Sequence, residues 1–241
     1  MRVLALDTAT RAGSVAIVDD DRIVEERSGD ASRTHAERLP GEILALLDAH
    51  ERSLASIDLF AVVSGPGSFT GLRIGIATMQ GLALVCGRRI VGVSALDALG
   101  HLGSLNASPG TLVAPWMDAH RRDVFAALYR VTAAPLFDPA RLVEIEGPTV
   151  GDPASTIARW RREIGEEPVT VVGDGAVMFS DLIARESPAW RAASPPLLAG
   201  VAGCLAAVRA RRGETVSPAG VHPLYIRRPD AELARDRRVA D

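Results

Sequence analysis

The chain has 241 residues, 47% of them hydrophobic and 24% charged, with a formal net charge of −3, a size that admits one large unit or two small domains. All 27 basic residues are arginine, which excludes the chemistries that need lysine: the Walker A phosphate loop, Schiff bases, the SxxK hydrolases and the kinase strand lysine. Aromatic residues make up 4%, which with the acidic balance argues against an autonomous nucleic-acid binder built on a basic face and stacking platforms. No apolar run approaches the length of a membrane span, so a soluble protein is expected. Cys86 and Cys204 are far apart and outside any CxxC, which leaves no disulfide framework or cysteine zinc site and fits a reducing cytoplasm.

Val3 to Asp7 reads as a short buried strand rather than a secretory leader, because the apolar run meets an acid before a leader core can develop. The turn Thr8 to Gly13, a strand Ser14 to Val18, the acidic turn Asp19 to Asp21 and a strand Ile23 to Arg27 complete an antiparallel meander. From Thr34 to Ala49, Leu39, Ile43, Leu46 and Leu47 recur at helical spacing. The strand Leu59 to Val63 runs into the loop Ser64 to Gly71, and a helix of apolar and small residues spans Leu72 to Val85. A strand at Ile90 to Val93 and a helix at Ala95 to Leu102 follow.

After Gly103 to Gly110 the opening pattern recurs. Leu112 to Met117 and Val124 to Tyr129 flank the turn Asp118 to Arg122, as Val3 to Val18 flank theirs, each with an Asp ending the first strand, which suggests a duplicated architecture. Prolines 135, 139, 148 and 153 then interrupt the pattern before a helix Ala154 to Glu163, a strand Val169 to Val172, a turn Gly173 to Ala176, a helix Met178 to Arg185 and an apolar helix Leu197 to Arg212. The last dozen residues are expected to be partly disordered.

Asp7, with Thr8, Thr10 and Gly13, has two readings: a carboxylate that holds a metal-bound water or lines a phosphate pocket, or one that caps its own turn. The loop Ser64 to Gly71 also has two. Gly65, Gly67 and Gly71 with Ser68 and Thr70 can cradle an anion at a helix N-terminus, or simply turn a buried strand into a closely packed helix. His35, His50, His101, His120 and His222 show no HxxxH or HExxH spacing, so no local segment puts two imidazoles on one helical face, and a zinc or iron site is not expected. The arginines at 121 and 122, at 159, 161 and 162, at 209, 211 and 212, and from 227 to 238 are interleaved with acids in the manner of solvated faces.

Taken in order, Val3 to Thr10 (VLALDTAT), Thr34 to Leu39 (THAERL), Ser64 to Gly75 (SGPGSFTGLRIG), Gln80 to Leu82 (QGL), Asp118-Ala119 and Pro223 to Arg227 (PLYIR) resemble the bacterial TsaB (YeaZ) family across almost the whole chain. The resemblance implies an α/β, actin-like (ASKHA) fold of two related lobes, with mixed sheets flanked by helices and the second lobe reduced. The partner-binding lobe would span 1–104 and the reduced one 105–241. It implies a non-catalytic, cytoplasmic subunit needed for threonylcarbamoylation of adenosine 37 in tRNAs that read codons beginning with A. In that role it would bind TsaD, the catalytic relative, with the ATPase TsaE joining, would meet tRNA only through the complex, and could form a homodimer when alone. The catalytic relative's HxxxH pair falls on Ala95 and Leu99 here, so neither catalytic residues nor a metal is expected. The implied partner surface is His35, Leu39, Ile43 and Leu46 on one helix with Arg73, Ile76 and Leu82 on the other. No cofactor is required, although ATP or ADP at the partner interface fits the resemblance, with Asp7, Thr8, Gly65, Gly67 and Ser68 as the anion or nucleotide contacts. The rival readings are a stand-alone ATPase or small-molecule kinase of the same fold, using Asp7 and Asp118 around Mg-ATP, and a metal-dependent peptidase.

Overall fold

The computed structural model of the protein describes residues 1–194 and 197–227. Strands β1 (Arg2–Asp7), β2 (Ser14–Asp19) and β3 (Arg22–Ser28) form the expected antiparallel meander. Helix α1 (His35–Ala49) follows, its first turn closed by the Thr34 N–H donating to Glu37 Oε2 at 2.9 Å, one half of a capping box. Strand β4 (Leu59–Gly65), helix α2 (Phe69–Val85) and strand β5 (Arg89–Ser94) complete a sheet of order β3-β2-β1-β4-β5, in which β4 lies parallel to both β1 and β5. Helix α2 starts a turn earlier than its apolar pattern, because Ser68 Oγ accepts the Gly71 N–H at 3.2 Å and nucleates the helix ahead of Leu72.

Helix α3 (Ala95–Gly103) leads to β6 (Leu112–Asp118), β7 (Val124–Val131), β8 (Leu142–Gly151), α4 (Pro153–Ile164), β9 (Val169–Val172), α5 (Asp174–Met178), α6 (Ser180–Glu186), β10 (Arg191–Ala193) and α7 (Ala199–Arg211). The second sheet has order β10-β9-β6-β7-β8, an antiparallel meander β6-β7-β8 with β9 parallel to β6. It repeats the first sheet strand for strand, so the duplication suggested by two strand-Asp-turn-strand units extends to whole lobes. Strand β8 was hidden in the proline-rich stretch. As an edge strand it has no buried face to impose alternation, and Pro148 is tolerated there. Of the turn read at Gly173 to Ala176, residues 174–176 belong to helix α5, and Gly173 and Gly175 let α5 lie directly on the backbone of Trp116.

Three apolar layers hold these elements. Leu4, Leu6, Val15, Ile17, Phe60 and Val62 face α1 and α2 on the outside of the first sheet, while the alternate residues Val3, Ala5, Ala16, Val18, Ala61 and Val63 face inward, as strand periodicity requires. Trp116, Trp160 and Trp190 centre the corresponding outer layer of the second sheet. Between the sheets lie α3 and α7.

Every residue of α7 from Ala199 to Ala207 is buried, the signature of a helix enclosed on all sides. It packs on the first sheet, with Gly203 against Val18 and Ala5. Its opening N–H groups are taken by Ser14 Oγ (Ala199, 3.0 Å) and by Glu26 Oε1 (Gly200, 2.9 Å). The strands of the first sheet all precede residue 104 and those of the second all follow it, while α7, late in the chain, packs on the first sheet. Residues 228–238 of the C-terminal arginine cluster, and the last dozen residues expected to be disordered, lie outside the described residues. No described helix is long and apolar enough to cross a membrane.

Candidate functional site

A cavity of about 390 Å³ opens between the lobes, walled by the loop Pro66 to Thr70 on one side, the β6–β7 turn from Asp118 to Arg121 with Phe125 on the other, and residues 224–227 alongside. On the first lobe the Phe69 and Tyr225 rings stack at 5.1 Å. The Arg73 guanidinium lies 4.0 Å over the Phe69 ring, and its Nε donates to the Tyr225 hydroxyl at 3.1 Å. The Leu224 N–H donates to the Ser64 carbonyl at 2.7 Å. Gly65 (φ +121°) has no room for a side chain, since a Cβ there would sit 2.7 Å from the Leu224 carbonyl oxygen.

On the second lobe, His120, Arg121 and Arg122 take positive φ in succession (58°, 55° and 68°), each at a cost of about 1–2 kcal/mol for a residue with a side chain. Asp118 Oδ1 accepts the His120 N–H at 2.7 Å, and the Asp118 N–H donates to Asp174 Oδ1 at 3.0 Å. Arg227 donates to the Ala119 carbonyl at 2.7 Å and pairs with the Asp123 carboxylate. Together these bonds hold a turn that its backbone preferences oppose.

Asp7 is not part of this cleft. It is 1% exposed, its Oδ1 accepts the Ala9 N–H at 2.7 Å, and its Oδ2 accepts the Thr10 hydroxyl at 2.5 Å. Burial pushes its carboxyl up from 3.8 to about 6 despite these bonds. Of the two readings of Asp7, turn capping is the one the geometry realises. Thr8 is fully buried, with its Oγ1 facing Gly75, where a Cβ would come within 2.0 Å. A Cβ on Gly67 would stand 2.5 Å from the Ala9 carbonyl oxygen, and one on Gly71 2.1 Å from that of Thr8. The glycines thus let the Ser64–Gly75 segment pack backbone to backbone on the Asp7 turn. Of the five expected anion contacts, only Gly67 and Ser68 line the cleft; Asp7 and Thr8 lie buried behind it, and Gly65 is covered by Leu224. Asp118 lies on the cleft and Asp7 is buried behind it, so the two carboxylates do not face each other across the cleft.

The expected partner surface needs a similar correction. Leu39, Ile43, Leu46 and Ile76 are buried against the first sheet, since sheet burial selects the same helical stripe that marks them in the sequence. Leu82 is half-buried in that layer. Arg73 is exposed but engaged with Phe69 and Tyr225. His35 is half-buried, its Nδ1 2.7 Å from Arg38 Nη2, and burial, with Arg38 beside it, lowers its pKa. Arg38 itself is buried and paired with Glu42 at 2.6 Å, and it occupies the space over Gly29, where a Cβ would stand 1.5 Å from Nη1. The residues free to meet a partner are the ones that the apolar stripe passes over: Leu44 (52% exposed), Leu84 (71%) and Val85 (87%), with Gly41 and Gly81 open on the same two helices. Their signal in the sequence was an apolar residue out of phase with the core stripe.

Ala95 and Leu99 lie buried between the sheets. His101, two residues on, is buried beside Phe137, and desolvation, with Arg209 and Arg141 nearby, pushes its pKa down to about 4. Among the described residues no group of three or more His, Cys, Asp or Glu is placed to hold a metal ion.

The sequence model of the family described as "TsaD: tRNA N6-adenosine threonylcarbamoyltransferase" matches residues 29–235. An uncharacterised protein of Mycobacterium tuberculosis is 35% identical over 95% of the chain and 93% of its own length. One from Mycobacterium leprae is 34% identical, but the chain spans only 56% of it. The Escherichia coli tRNA threonylcarbamoyladenosine biosynthesis protein TsaB is 38% identical over 54% of this chain and 55% of its own. Among solved structures, a Pseudomonas aeruginosa protein with similarity to peptidase YeaZ superposes with a TM-score of 0.74 and 27% identity, over 94% of this chain and 99% of that one. The activator of 2-hydroxyisocaproyl-CoA dehydratase from Clostridium difficile shares the two-lobed actin-like fold at a TM-score of 0.53 and 13% identity, over 89% of this chain and 97% of that one. With sequence and fold agreeing along nearly its whole length, the chain belongs to the TsaB (YeaZ) family, within the wider threonylcarbamoyltransferase family that matches residues 29–235.

Proposed function

We propose that this chain is the non-catalytic partner of TsaD in threonylcarbamoylation of adenosine 37 in tRNAs that read codons beginning with A, working in the cytoplasm with TsaE joining the pair. The observation that carries the reading is the outward face of α1 and α2. Leu44, Leu84 and Val85 are exposed there beside the open Gly41 and Gly81, a small-residue surface onto which another helix can pack closely. An exposed apolar patch of this kind marks an interaction surface. The absence of lysine and the burial of Ala95 and Leu99 in the core between the sheets support a supporting rather than a catalytic role, and the name of the E. coli relative supplies the pathway.

This role requires no cofactor of its own. ATP or ADP enters the reading only at the partner interface, where residues of TsaD would have to supply most contacts, because only Gly67 and Ser68 of the expected set are open on this chain. Transfer RNA is met through the complex, and the same α1–α2 face would serve a homodimer in the absence of TsaD. The test is co-purification with TsaD and assay of threonylcarbamoyl transfer with and without this chain. Activity is expected only in the pair, and full activity of TsaD alone would overturn the proposal.

A further inference from the structure

Residues 221–227 run across the mouth of the cleft and are held on both lobes. On the first lobe, the Val221 carbonyl accepts from Gln80 Nε2 at 3.0 Å, the Val221 side chain is buried in the layer beneath α2, and the Leu224 N–H donates to the Ser64 carbonyl. Tyr225 is stacked on Phe69 and bonded to Arg73. Ile226 packs into the layer between the sheets, and on the second lobe Arg227 binds the Ala119 carbonyl and the Asp123 carboxylate. Three of the first-lobe anchors, Phe69, Arg73 and Gln80, belong to α2, the helix that carries Leu84 and Val85 at its C-terminal end. The second-lobe anchor is the turn with three successive positive-φ residues, a conformation that persists only where its surroundings over-determine it. Gly65 and Gly92 both leave space that this segment fills, against Leu224 and Val221 respectively.

We propose that residues 221–227 are a strap that sets the width of the cleft and couples the second lobe to α2, so that the outward face of α2 is correctly placed for a partner only while Arg227 is docked on the β6–β7 turn. The proposal rests on the partner reading above and adds an internal control to it. In an actin-like scaffold a ligand between the lobes can fix their separation; here a segment of the chain itself spans the cleft, and the ion pair and hydrogen bond at Arg227 are its release point. The only charged side chain that the strap offers the turn is Arg227, and Asp123 is the acid that receives it.

Hydrogen exchange and TsaD binding of the full chain test this with Arg227→Ala. Release of the strap is expected to raise exchange at least tenfold in residues 118–123 and 64–72, leave the Trp116, Trp160 and Trp190 layer unchanged, and weaken TsaD binding three- to tenfold. Unchanged exchange in those segments overturns the strap; raised exchange with unchanged affinity overturns the coupling. Should Arg227→Ala loosen the tryptophan layer as well, Tyr225→Phe, which deletes only the hydroxyl that Arg73 meets, replaces it. Raised exchange confined to the first turns of α2, with weaker binding, is then the supporting result, and no change refutes it. Leu84→Glu, assayed in parallel, separates the two ideas. If it leaves TsaD binding intact, the α1–α2 face is not the partner surface, while the exchange data still judge the strap.

Discussion

Replacing Asp7 by Asn should change how the stability of this protein depends on pH. The carboxyl is buried and held by Ala9 and Thr10, yet desolvation outweighs those bonds and lifts its pKa from 3.8 to about 6. Its folded-state pKa lies above its unfolded one. The favourable contribution is therefore complete below pH 3.8, falls as pH rises, and is gone above pH 6. At about 1.4 kcal/mol for each tenfold change in proton affinity, the rise from 3.8 to about 6 corresponds to about 3 kcal/mol between these limits. Asn keeps an oxygen for the Ala9 N–H and carries no charge, so it removes the titration while retaining the main bond of the turn. Carboxylates with lowered pKa, such as Asp19 beside Arg52, pull the other way, so the informative quantity is the difference between wild type and variant. Urea unfolding of both proteins from pH 4 to pH 7.5 should show the variant gaining about 3 kcal/mol relative to wild type as pH rises. A difference that stays flat across this range would refute the burial argument.

Leu84→Glu should leave stability within about 0.5 kcal/mol of wild type, as expected for an exposed site, and abolish TsaD capture, whereas Leu46→Ala should cost about 2–5 kcal/mol in urea unfolding while the folded fraction still binds. Gly29→Ala places a Cβ where Arg38 lies and should cost about 3–5 kcal/mol by displacing a buried, paired charge; an unchanged thermal midpoint would mean that Arg38 is free to move aside. Glu26→Ala removes the acceptor of the Gly200 N–H, and a loss of about 1–2 kcal/mol is expected in the same assay. No loss would show that α7 needs no cap from β3.

The chain order of elements was legible where local physics decides it. The short continuous apolar runs of β1, β2, β4, β6 and β7, buried on both faces, and the 3.6 period of α1, which buries one, are both visible in the sequence. Edge strand β8 was not legible, since it buries neither face fully and so leaves no pattern. The five residues assigned to an anion site are divided between the cleft and the packing behind it for a related reason. A glycine that permits close approach looks the same in sequence whether the approaching group is a phosphate or, as at Gly67 and Gly71, the carbonyls of Ala9 and Thr8.

By itself the sequence determined the two-lobed repeat, the absence of lysine chemistry and the family to which the chain belongs, because those follow from local pattern, composition and a specific loop. Only the tertiary structure decided which side of each helix faces outward, that Asp7 closes its turn rather than the cleft, that α7 returns to the first sheet, and that residues 221–227 join the lobes. Each of these depends on pairings between segments tens to hundreds of residues apart, such as Arg73 with Tyr225 or Gly203 with Ala5, and no local run of sequence records the distance between its ends.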